Sequence, residues 1–161
     1  MESSTVQVPI YKRGGVVVAH MIIDAEDAPL VNGRRWSLDT HGYPQGSAGG
    51  RRMLVHRLLT GAAPFQIVDH VNGDALDNRR CNLRFVTKQQ NNTNRGKSSG
   101  CSSRFKGVCL HPKNRNWNAY IKKDGKRKHL GCFNDEEAAA HAYDAAAREL
   151  FGEFARLNFP D

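Results

Sequence analysis

The chain has 161 residues, which suffices for one average domain or two small ones. Its hydrophobic content of 39%, and the lack of any apolar run near the ~20 residues of a membrane span, argue against a large core and a transmembrane protein. Lys and Arg outnumber Asp and Glu by 24 to 16, and the resulting net charge of +8 favours a polyanionic partner.

The cysteines and the N-terminal residues indicate an intracellular protein. Cys81, Cys101, Cys109 and Cys132 follow neither C-x-x-C nor zinc-ligand spacing, so we expect free thiols. The first fifteen residues are polar, and the short run at 16–19 cannot form the apolar core of a signal peptide. We therefore expect a cytoplasmic location, with no attachment to a membrane.

The first 60 residues predict a small, mostly β segment. Apolar residues alternate over 6–10, and residues 16–23 are β-branched, as in strands. Short strand patterns follow at 35–38 and 41–43, and residues 53–59 form an apolar segment that is helical at its end. The segment 53–59 contains His56, which we interpret as a packing or hydrogen-bonding histidine rather than a catalytic one.

Residues 66–95 carry the polar residues that suggest chemistry. The patterns predict a strand at 67–71, a polar loop with Asn-Gly turn chemistry at 72–80, and a second strand at 82–86. Thr87 is a good N-cap for a helix from Lys88 to about Arg95. Neighbouring strand residues point to opposite faces, so the adjacent Asp69 and His70 are expected to have different roles.

The segment 96–103 reads GKSSGCSS, which predicts a flexible linker between two parts of the chain, 1–95 and 104–160. The second part predicts three strands and a helix, at 105–111, 116–122, 127–133 and 134–151. Asp124-Gly125 predicts a hairpin turn, and Asn134 with Glu137 matches a capping box at the start of the helix. Gly152 is expected to end the helix.

Charge is divided sharply within this second part. Residues 103–133 contain nine Lys or Arg and one acid, whereas residues 134–161 contain two Arg and seven acids. Alternation in the middle strand places Trp117, Ala119 and Ile121 on one face, with Asn118, Tyr120 and Lys122 on the other. We infer that the exposed basic face of the sheet meets a phosphate backbone, while the helix covers the apolar face.

The quartet Asp69-His70, Asn82 and Asn91, with the segments Val55-His56-Arg57-Leu58 and Asn82-Leu83-Arg84, resembles an HNH homing endonuclease of the phage- and intron-encoded kind. Residues 1–60 are similar to the β segment that often precedes the catalytic part of such an endonuclease. The resemblance implies an α+β protein in which a mostly-β segment (1–60) leads into a ββα-metal, or His-Me, finger (66–95).

The resemblance also implies roles for the quartet. His70 would be the general base that activates water, Asn82 would fix the loop and orient the His70 ring, and Asp69 with Asn91 would hold one hard divalent ion. Mg²⁺ suits these oxygen ligands best, with Mn²⁺ second, and no small-molecule cofactor is implied. The family often has histidine at the last position, and the adjacent Asn92 remains an alternative ligand to Asn91.

The second part is similar to an APETALA2-type DNA-binding domain, through Phe105-Lys106-Gly107-Val108, residues 117–121, residues 129–133 and Leu157-Asn158-Phe159. This resemblance implies a three-stranded antiparallel sheet packed on one helix (104–160). It places double-stranded DNA on the sheet face, at Lys106, His111, Arg115, Tyr120, Lys122, Arg127 and His129. Lysines would mainly contact phosphates, and Arg115 and Arg127 are the better candidates for guanine edges.

We therefore expect a site-specific, metal-dependent DNA endonuclease, acting on DNA as a monomer rather than an obligate dimer, in a phage, prophage or bacterial context. A non-cleaving, sequence-specific DNA-binding regulator with a vestigial finger is the alternative. An RNA-binding module is a weaker interpretation, since the chain lacks an aromatic stacking platform. The quartet could also consist only of turn and cap residues, because Asp and Asn are common in such positions.

Overall fold

The computed structural model describes residues 4–94, 96, 102–113 and 115–160, which form an α+β fold with several small antiparallel sheets and a C-terminal helix. The chain divides into two compact units, one ending at Thr87 and the other beginning at Lys88. In the part of the chain described here, no helix is long and apolar enough to cross a membrane.

The first unit begins with a hairpin of β1 (Thr5–Tyr11) and β2 (Val17–Asp24), as the alternating pattern predicts. Its inward-facing residues are fully or almost fully buried because they pack on two short helices and an indole ring. These helices are α1 (Ala28–Val31) and α2 (Val55–Thr60). The buried residues of this core are Val8, Ile10, Met21, Ile23, Val31, Trp36, Val55 and Leu59.

A three-stranded sheet, β3 (Ser37–Leu38), β4 (Pro44–Ala48) and β5 (Arg51–Leu54), packs beside this core. The Trp36 indole nitrogen donates to the carbonyl of Val31 at 3.0 Å, which fixes the ring in the core. Gly46 lies against that ring, and a Cβ at this position would be 2.6 Å from it. Only glycine therefore fits at the centre of β4.

The predicted second hairpin consists of β6 (Ile67–His70) and β7 (Leu83–Val86), with Asp69 opposite Arg84 and His70 opposite Leu83. The second strand begins at Leu83 rather than at the predicted Asn82, which ends a 3₁₀ turn, Arg80–Asn82. Asn82 lies outside the strand because its side chain bonds the preceding loop; for example, its Oδ1 accepts the Asn72 N–H at 3.0 Å.

The loop between β6 and β7 is docked on the first hairpin. Ile22 donates its N–H to the Leu76 carbonyl at 2.8 Å and accepts the N–H of Asn78 at 2.7 Å. Farther along, the Arg80 guanidinium binds the buried Asp27 carboxylate, with Nη2 to Oδ1 at 2.7 Å. The loop is therefore held from outside by β2 and by the turn that follows it.

The second unit contains α3 (Lys88–Asn94), three strands and a long helix. The strands are β8 (Val108–Leu110), β9 (Trp117–Lys123) and β10 (Lys126–Phe133), in the order β10-β9-β8. Asp124 and Gly125 have positive φ values of 52° and 78°, as a tight two-residue hairpin turn requires. The predicted Asp124-Gly125 turn is thus confirmed.

The helix α4 (Glu136–Phe151) covers one face of this sheet, as predicted. Val108 and Ala119 pack on Ala139 and Ala140, and Ile121 packs on Tyr143 and Ala147. Small alanines allow the helix to lie close to the strands. The helix ends at Gly152, as expected, with a φ of 54°.

The predicted N-cap at Asn134 is wrong. Asp135 is the N-cap, and its carboxylate accepts the N–H of Ala138 at 2.8 Å. The side chain of Glu137 does not close a capping box, because it extends to Arg104 at 2.7 Å. The helix therefore begins one residue later than the sequence pattern suggests.

The predicted linker can be followed only in part, because residues 97–101 lie outside the described residues. The last two linker residues belong to the packed second unit. Ser103 is buried and donates to Glu136 at 2.7 Å, and the Ser102 hydroxyl accepts the N–H of Leu110 at 2.8 Å. The division into an endonuclease part and a DNA-binding part remains a prediction.

Candidate active site

Asp69 and His70 are adjacent on β6 and have different surroundings, as strand geometry requires. The Asp69 carboxylate is paired across the hairpin with Arg84, whose Nη2 lies 3.2 Å from Oδ2. His70 is buried, with an exposed fraction of 3%. The pair thus combines a carboxylate beside a cation with a buried imidazole.

Two other rings surround His70. Its centroid lies 5.1 Å from that of His56, in an edge-to-face arrangement, and 5.9 Å from that of Tyr43. The predicted packing role of His56 is confirmed, and the ring on which it packs is that of His70. Tyr43 was not singled out, because no local pattern relates a residue after β3 to a strand that begins at Ile67.

Burial lowers the pKa of His70 below its usual value, although the hydrogen bond to Asn78 and the Asp69 charge oppose this effect. Burial, then His70 and Arg57, lower the pKa of His56 to about 4. Among the described residues, His56 Nδ1 has no hydrogen-bond partner. Both imidazoles are therefore neutral near pH 7.

The ring of His70 is contacted by Asn78, a residue outside the predicted quartet. The Nε2 atom of His70 lies 3.4 Å from Asn78 Oδ1. Asn78 is fully buried, and it belongs to the polar turn between the strands. Together with Asp77 it forms a turn-type Asp-Asn pair, which in the sequence looks like an ordinary loop.

Asn82 organises the loop rather than the ring. Its Nδ2 donates to the Asp77 carbonyl at 2.7 Å and to Asn72 Oδ1 at 3.0 Å. Its Oδ1 accepts the N–H of Asn72 at 3.0 Å. The expected role in fixing the loop agrees with these hydrogen bonds, whereas the hydrogen bond to the His70 ring comes from Asn78.

The same loop contains a tight acid–base pair. Arg79 Nη2 lies 2.6 Å from Asp77 Oδ2, and Asn72 Nδ2 donates to that oxygen at 2.9 Å. These hydrogen bonds, from Arg79 first, lower the pKa of Asp77. Asp77 therefore stays ionised and acts as an acceptor that closes the turn between Asn72 and Asn82.

The expected metal ligands Asp69 and Asn91 lie in different units. Asn91 and the alternative Asn92 are on α3, which groups with the second unit, whereas β6 belongs to the first. The ββα finger and the choice between Asn91 and Asn92 therefore remain predictions. Within the described ranges, the structure contains no cluster of three or more His, Cys, Asp or Glu side chains that could bind a metal ion.

The face of the second sheet opposite α4 carries four of the predicted DNA-contacting residues. Tyr120 pairs with His129 and Lys122 pairs with Arg127 across β9 and β10, which places them on one face. The Arg127 guanidinium lies 3.6 Å from the Tyr120 ring centroid, and the His129 ring lies 4.9 Å from it. Stacking on Tyr120 holds Arg127 in a limited set of orientations.

Asn118 lies on the same face but is buried, contrary to simple alternation. Its Oδ1 accepts the thiol of Cys132 at 2.9 Å and lies 3.2 Å from His129 Nε2. These two side chains cover it. Cys81, Cys109 and Cys132 form no disulfide, and Cys101 lies outside the described residues.

The remaining predicted DNA-contacting residues are His111, Arg115 and Lys106. His111 and Arg115 lie in the turn between β8 and β9, where the Arg115 N–H donates to the His111 carbonyl at 3.1 Å. Lys106 is different, because its Nζ donates to the Thr93 carbonyl. Burial, with the nearby Arg156, lowers the pKa of Lys106 to about 8.

The hairpin that carries Asp69, His70 and the Asn82 loop lies inside the segment recognised by comparison with known families. A family model described as HNH endonuclease matches residues 53–93. An uncharacterised HNH endonuclease of Acanthamoeba polyphaga mimivirus is 38% identical over 136 residues, which cover 81% of this chain and 70% of the viral protein. The chain belongs to the HNH endonuclease family, which supports nuclease activity in general and DNA as the substrate class.

The C-terminal part has relatives of a different kind. An AP2/ERF and B3 domain-containing protein of Oryza sativa subsp. japonica is 52% identical over 59 residues, which cover 37% of this chain and 16% of the rice protein. An ethylene-responsive transcription factor of Arabidopsis thaliana is 50% identical over 44 residues, covering 27% of this chain and 10% of that protein. The chain thus spans a small part of these plant proteins, and the likeness supports the APETALA2 resemblance only locally.

Proposed function

We propose that the protein is a site-specific DNA endonuclease of the homing type, which hydrolyses phosphodiester bonds with a divalent metal ion. The observation that carries this proposal is the buried, hydrogen-bonded His70 beside Asp69, on a hairpin within the segment that matches the HNH family. A general base must be unprotonated at the working pH and held in place, and burial with the Asn78 contact meets both needs.

Asp69 and Asn91 would hold the metal ion, with Mg²⁺ first and Mn²⁺ second. A hard cation prefers carboxylate and amide oxygens, which both residues supply. When bound, the ion would neutralise charge on the phosphate and on the leaving oxygen. Monomeric action on DNA is part of this proposal.

The protein's own residues would divide the remaining work. His70 accepts a proton from water, and Asn82 keeps the Asn72–Asp77 turn closed so that the hairpin stays aligned. The sheet face of the second unit would anchor the DNA through Tyr120, Lys122, Arg127 and His129, with His111 and Arg115 in the adjacent turn. Lys106 remains in the proposed set, although it is bonded to Thr93.

Cleavage of supercoiled plasmid carrying a cognate site, with Mg²⁺, tests the proposal. We expect His70→Ala to lower the cleavage rate about 10²- to 10⁴-fold, because general base catalysis is removed. His41→Ala is the matched control, since the His41 side chain is 80% exposed and lies outside the His70 cluster. Equal cleavage by wild type and His70→Ala would reject His70 as the base.

A non-cleaving DNA-binding regulator is the second candidate. It is favoured by the Asp69–Arg84 pair, because a protein cation already balances the carboxylate that would bind metal. This candidate predicts that Asp69→Ala leaves sequence-specific binding unchanged and that the wild type cuts no site with Mg²⁺ or Mn²⁺. Selection of bound and cleaved duplexes from one randomised library distinguishes the two functions.

A further inference from the structure

The orientation of the Asn78 side-chain amide is determined by its surroundings. Its Nδ2 donates to the carbonyl of Ala75 at 3.0 Å, an atom that can only accept. The opposite end of the amide, Oδ1, consequently faces Nε2 of His70 at 3.4 Å. Exchanging the two ends of the amide would place an oxygen against the Ala75 carbonyl and an NH₂ group against the ring.

We propose that Asn78 is a positioning residue that fixes the tautomer of His70, with the proton on Nε2 and the lone pair on Nδ1. An amide oxygen only accepts, so the nitrogen that faces it must donate. A neutral imidazole carries one proton, and Nδ1 is then the basic atom. The catalytic part of this inference rests on the proposed nuclease function.

The backbone holds Asn78 rigidly enough for this role. Its N–H donates to the Ile22 carbonyl at 2.7 Å, which fixes the residue to β2, where the flanking Met21 and Ile23 are in the hydrophobic core. Asn82, the residue expected to orient the ring, uses its amide for Asn72 and Asp77 instead. The two asparagines therefore have separate tasks, one in the loop and one at the ring.

The tautomer determines where the proton goes during hydrolysis. The attacking water gives its proton to Nδ1 as its oxygen bonds to phosphorus, and the bond from phosphorus to the leaving oxygen breaks. His70 then carries protons on both nitrogens, and Asn78 Oδ1 still accepts from Nε2. The imidazolium later returns one proton to solvent, and the leaving oxygen takes one from water.

Long-range ¹H–¹⁵N correlation spectra of the full-length protein identify the protonated nitrogen of neutral His70. In the wild type we expect protonation at Nε2. In Asn78→Ala we expect the Nδ1-protonated form to appear and cleavage to slow by about 10²-fold, because the base is misdirected. Asn78→Asp retains an acceptor opposite Nε2, so the Nε2-protonated form and most of the rate should return.

Asn32→Ala is the control, since Asn32 is exposed in the same unit and should alter neither the tautomer nor the rate. A wild-type proton on Nδ1 would overturn the inference, as would Asn78→Ala with the Nε2 proton and full activity. If Asn78→Ala does not fold, the wild-type spectrum and Asn78→Asp decide. A wild type with the Nε2 proton that never cuts DNA rejects the nuclease proposal alone.

Discussion

At the scale of single residues, the candidate site depends on two buried histidines that pack edge to face. Burial lowers the pKa of both, and a charge on His70 further disfavours one on His56. A positive charge on His56 would have to be placed in a core that offers its Nδ1 no acceptor among the described residues. Stability should therefore fall when these rings are forced to take up protons.

The free energy of unfolding should decrease as the pH falls from about 6.5 towards 4. The unfolded chain binds a proton at His56 below its usual pKa of 6.5, whereas the folded protein does so only near about 4, so the unfolded state holds more protons in this window. The stabilisation is complete above pH 6.5, and His56 alone accounts for a decrease of about 3 kcal/mol by pH 4. Urea unfolding at several pH values measures it.

His56→Phe should reduce this pH dependence, whatever its effect on stability at pH 7, because the titrating group is removed. His41→Phe is the matched control, since the His41 side chain is exposed and belongs to the same unit. A slope between pH 6.5 and 4 that is the same in wild type and His56→Phe would show that His56 does not titrate differently in the two states.

At the scale of elements, the start of α4 shows how a side chain selects a helix boundary. Asn134 and Asp135 are both good cap residues by type, and the carboxylate of Asp135 is the group that accepts the N–H of Ala138. The carboxylates of Glu136 and Glu137 lie in the first turn, where the helix dipole favours negative charge. Glu136 accepts a hydrogen bond from Ser103 and Glu137 accepts one from Arg104, so both connect the helix to the segment before β8.

Asp135→Ala should lower the free energy of unfolding by about 1 kcal/mol, because the N–H of Ala138 is left without its partner. Asn134→Ala should change the free energy of unfolding by no more than about half of that amount, since Asn134 is exposed and lies outside the helix. Thermal or urea unfolding of the two variants side by side provides the comparison. A larger decrease for Asn134→Ala than for Asp135→Ala would place the cap at Asn134.

In the whole molecule, the proposed catalytic residues and the exposed basic sheet face belong to different units. The first unit contains His70 and its loop, whereas the exposed basic face lies on β9 and β10 of the second. Like charges on one face repel one another, and binding to phosphates relieves that repulsion. The second unit should therefore contribute more to DNA affinity than to the chemical step.

The double variant Lys122→Gln and Arg127→Gln should weaken DNA binding, because two positive charges are removed from the face proposed to meet phosphates. The dependence of the logarithm of affinity on the logarithm of salt concentration should become shallower, by about 0.9 for each phosphate that is no longer neutralised. Titrations of labelled duplex at several salt concentrations measure this. The cleavage rate at saturating protein should remain within about threefold of the wild type.

Arg13→Gln is the control for this charge change, since Arg13 is exposed in the first unit. It should leave affinity and salt dependence almost unchanged. An equal effect of Arg13→Gln and the double variant would mean that overall charge, rather than the β9–β10 face, attracts DNA.

Most strands and helices, though not all of their ends, follow from the sequence alone, because these elements depend on neighbours along the chain. Alternation predicted β1 and β9, the β-branched run at 16–23 predicted β2, and the Asp124-Gly125 pair predicted the turn after β9. The adjacent positions of Asp69 and His70 on a strand predicted that the two side chains have different surroundings. The family resemblance carried the endonuclease assignment, which the match to the HNH family model and the mimivirus relative support.

The contacts between side chains that are distant in the sequence depend on the packed fold. Asn78 and His56 contact His70 because the loop docks on β2 and because α2 packs beside β6, and neither contact follows from a local pattern. The same holds for Lys106, whose ammonium is drawn to the Thr93 carbonyl of α3. Hydrogen bonds and ring contacts depend on positions in space, which residues distant in sequence reach only after the core has formed.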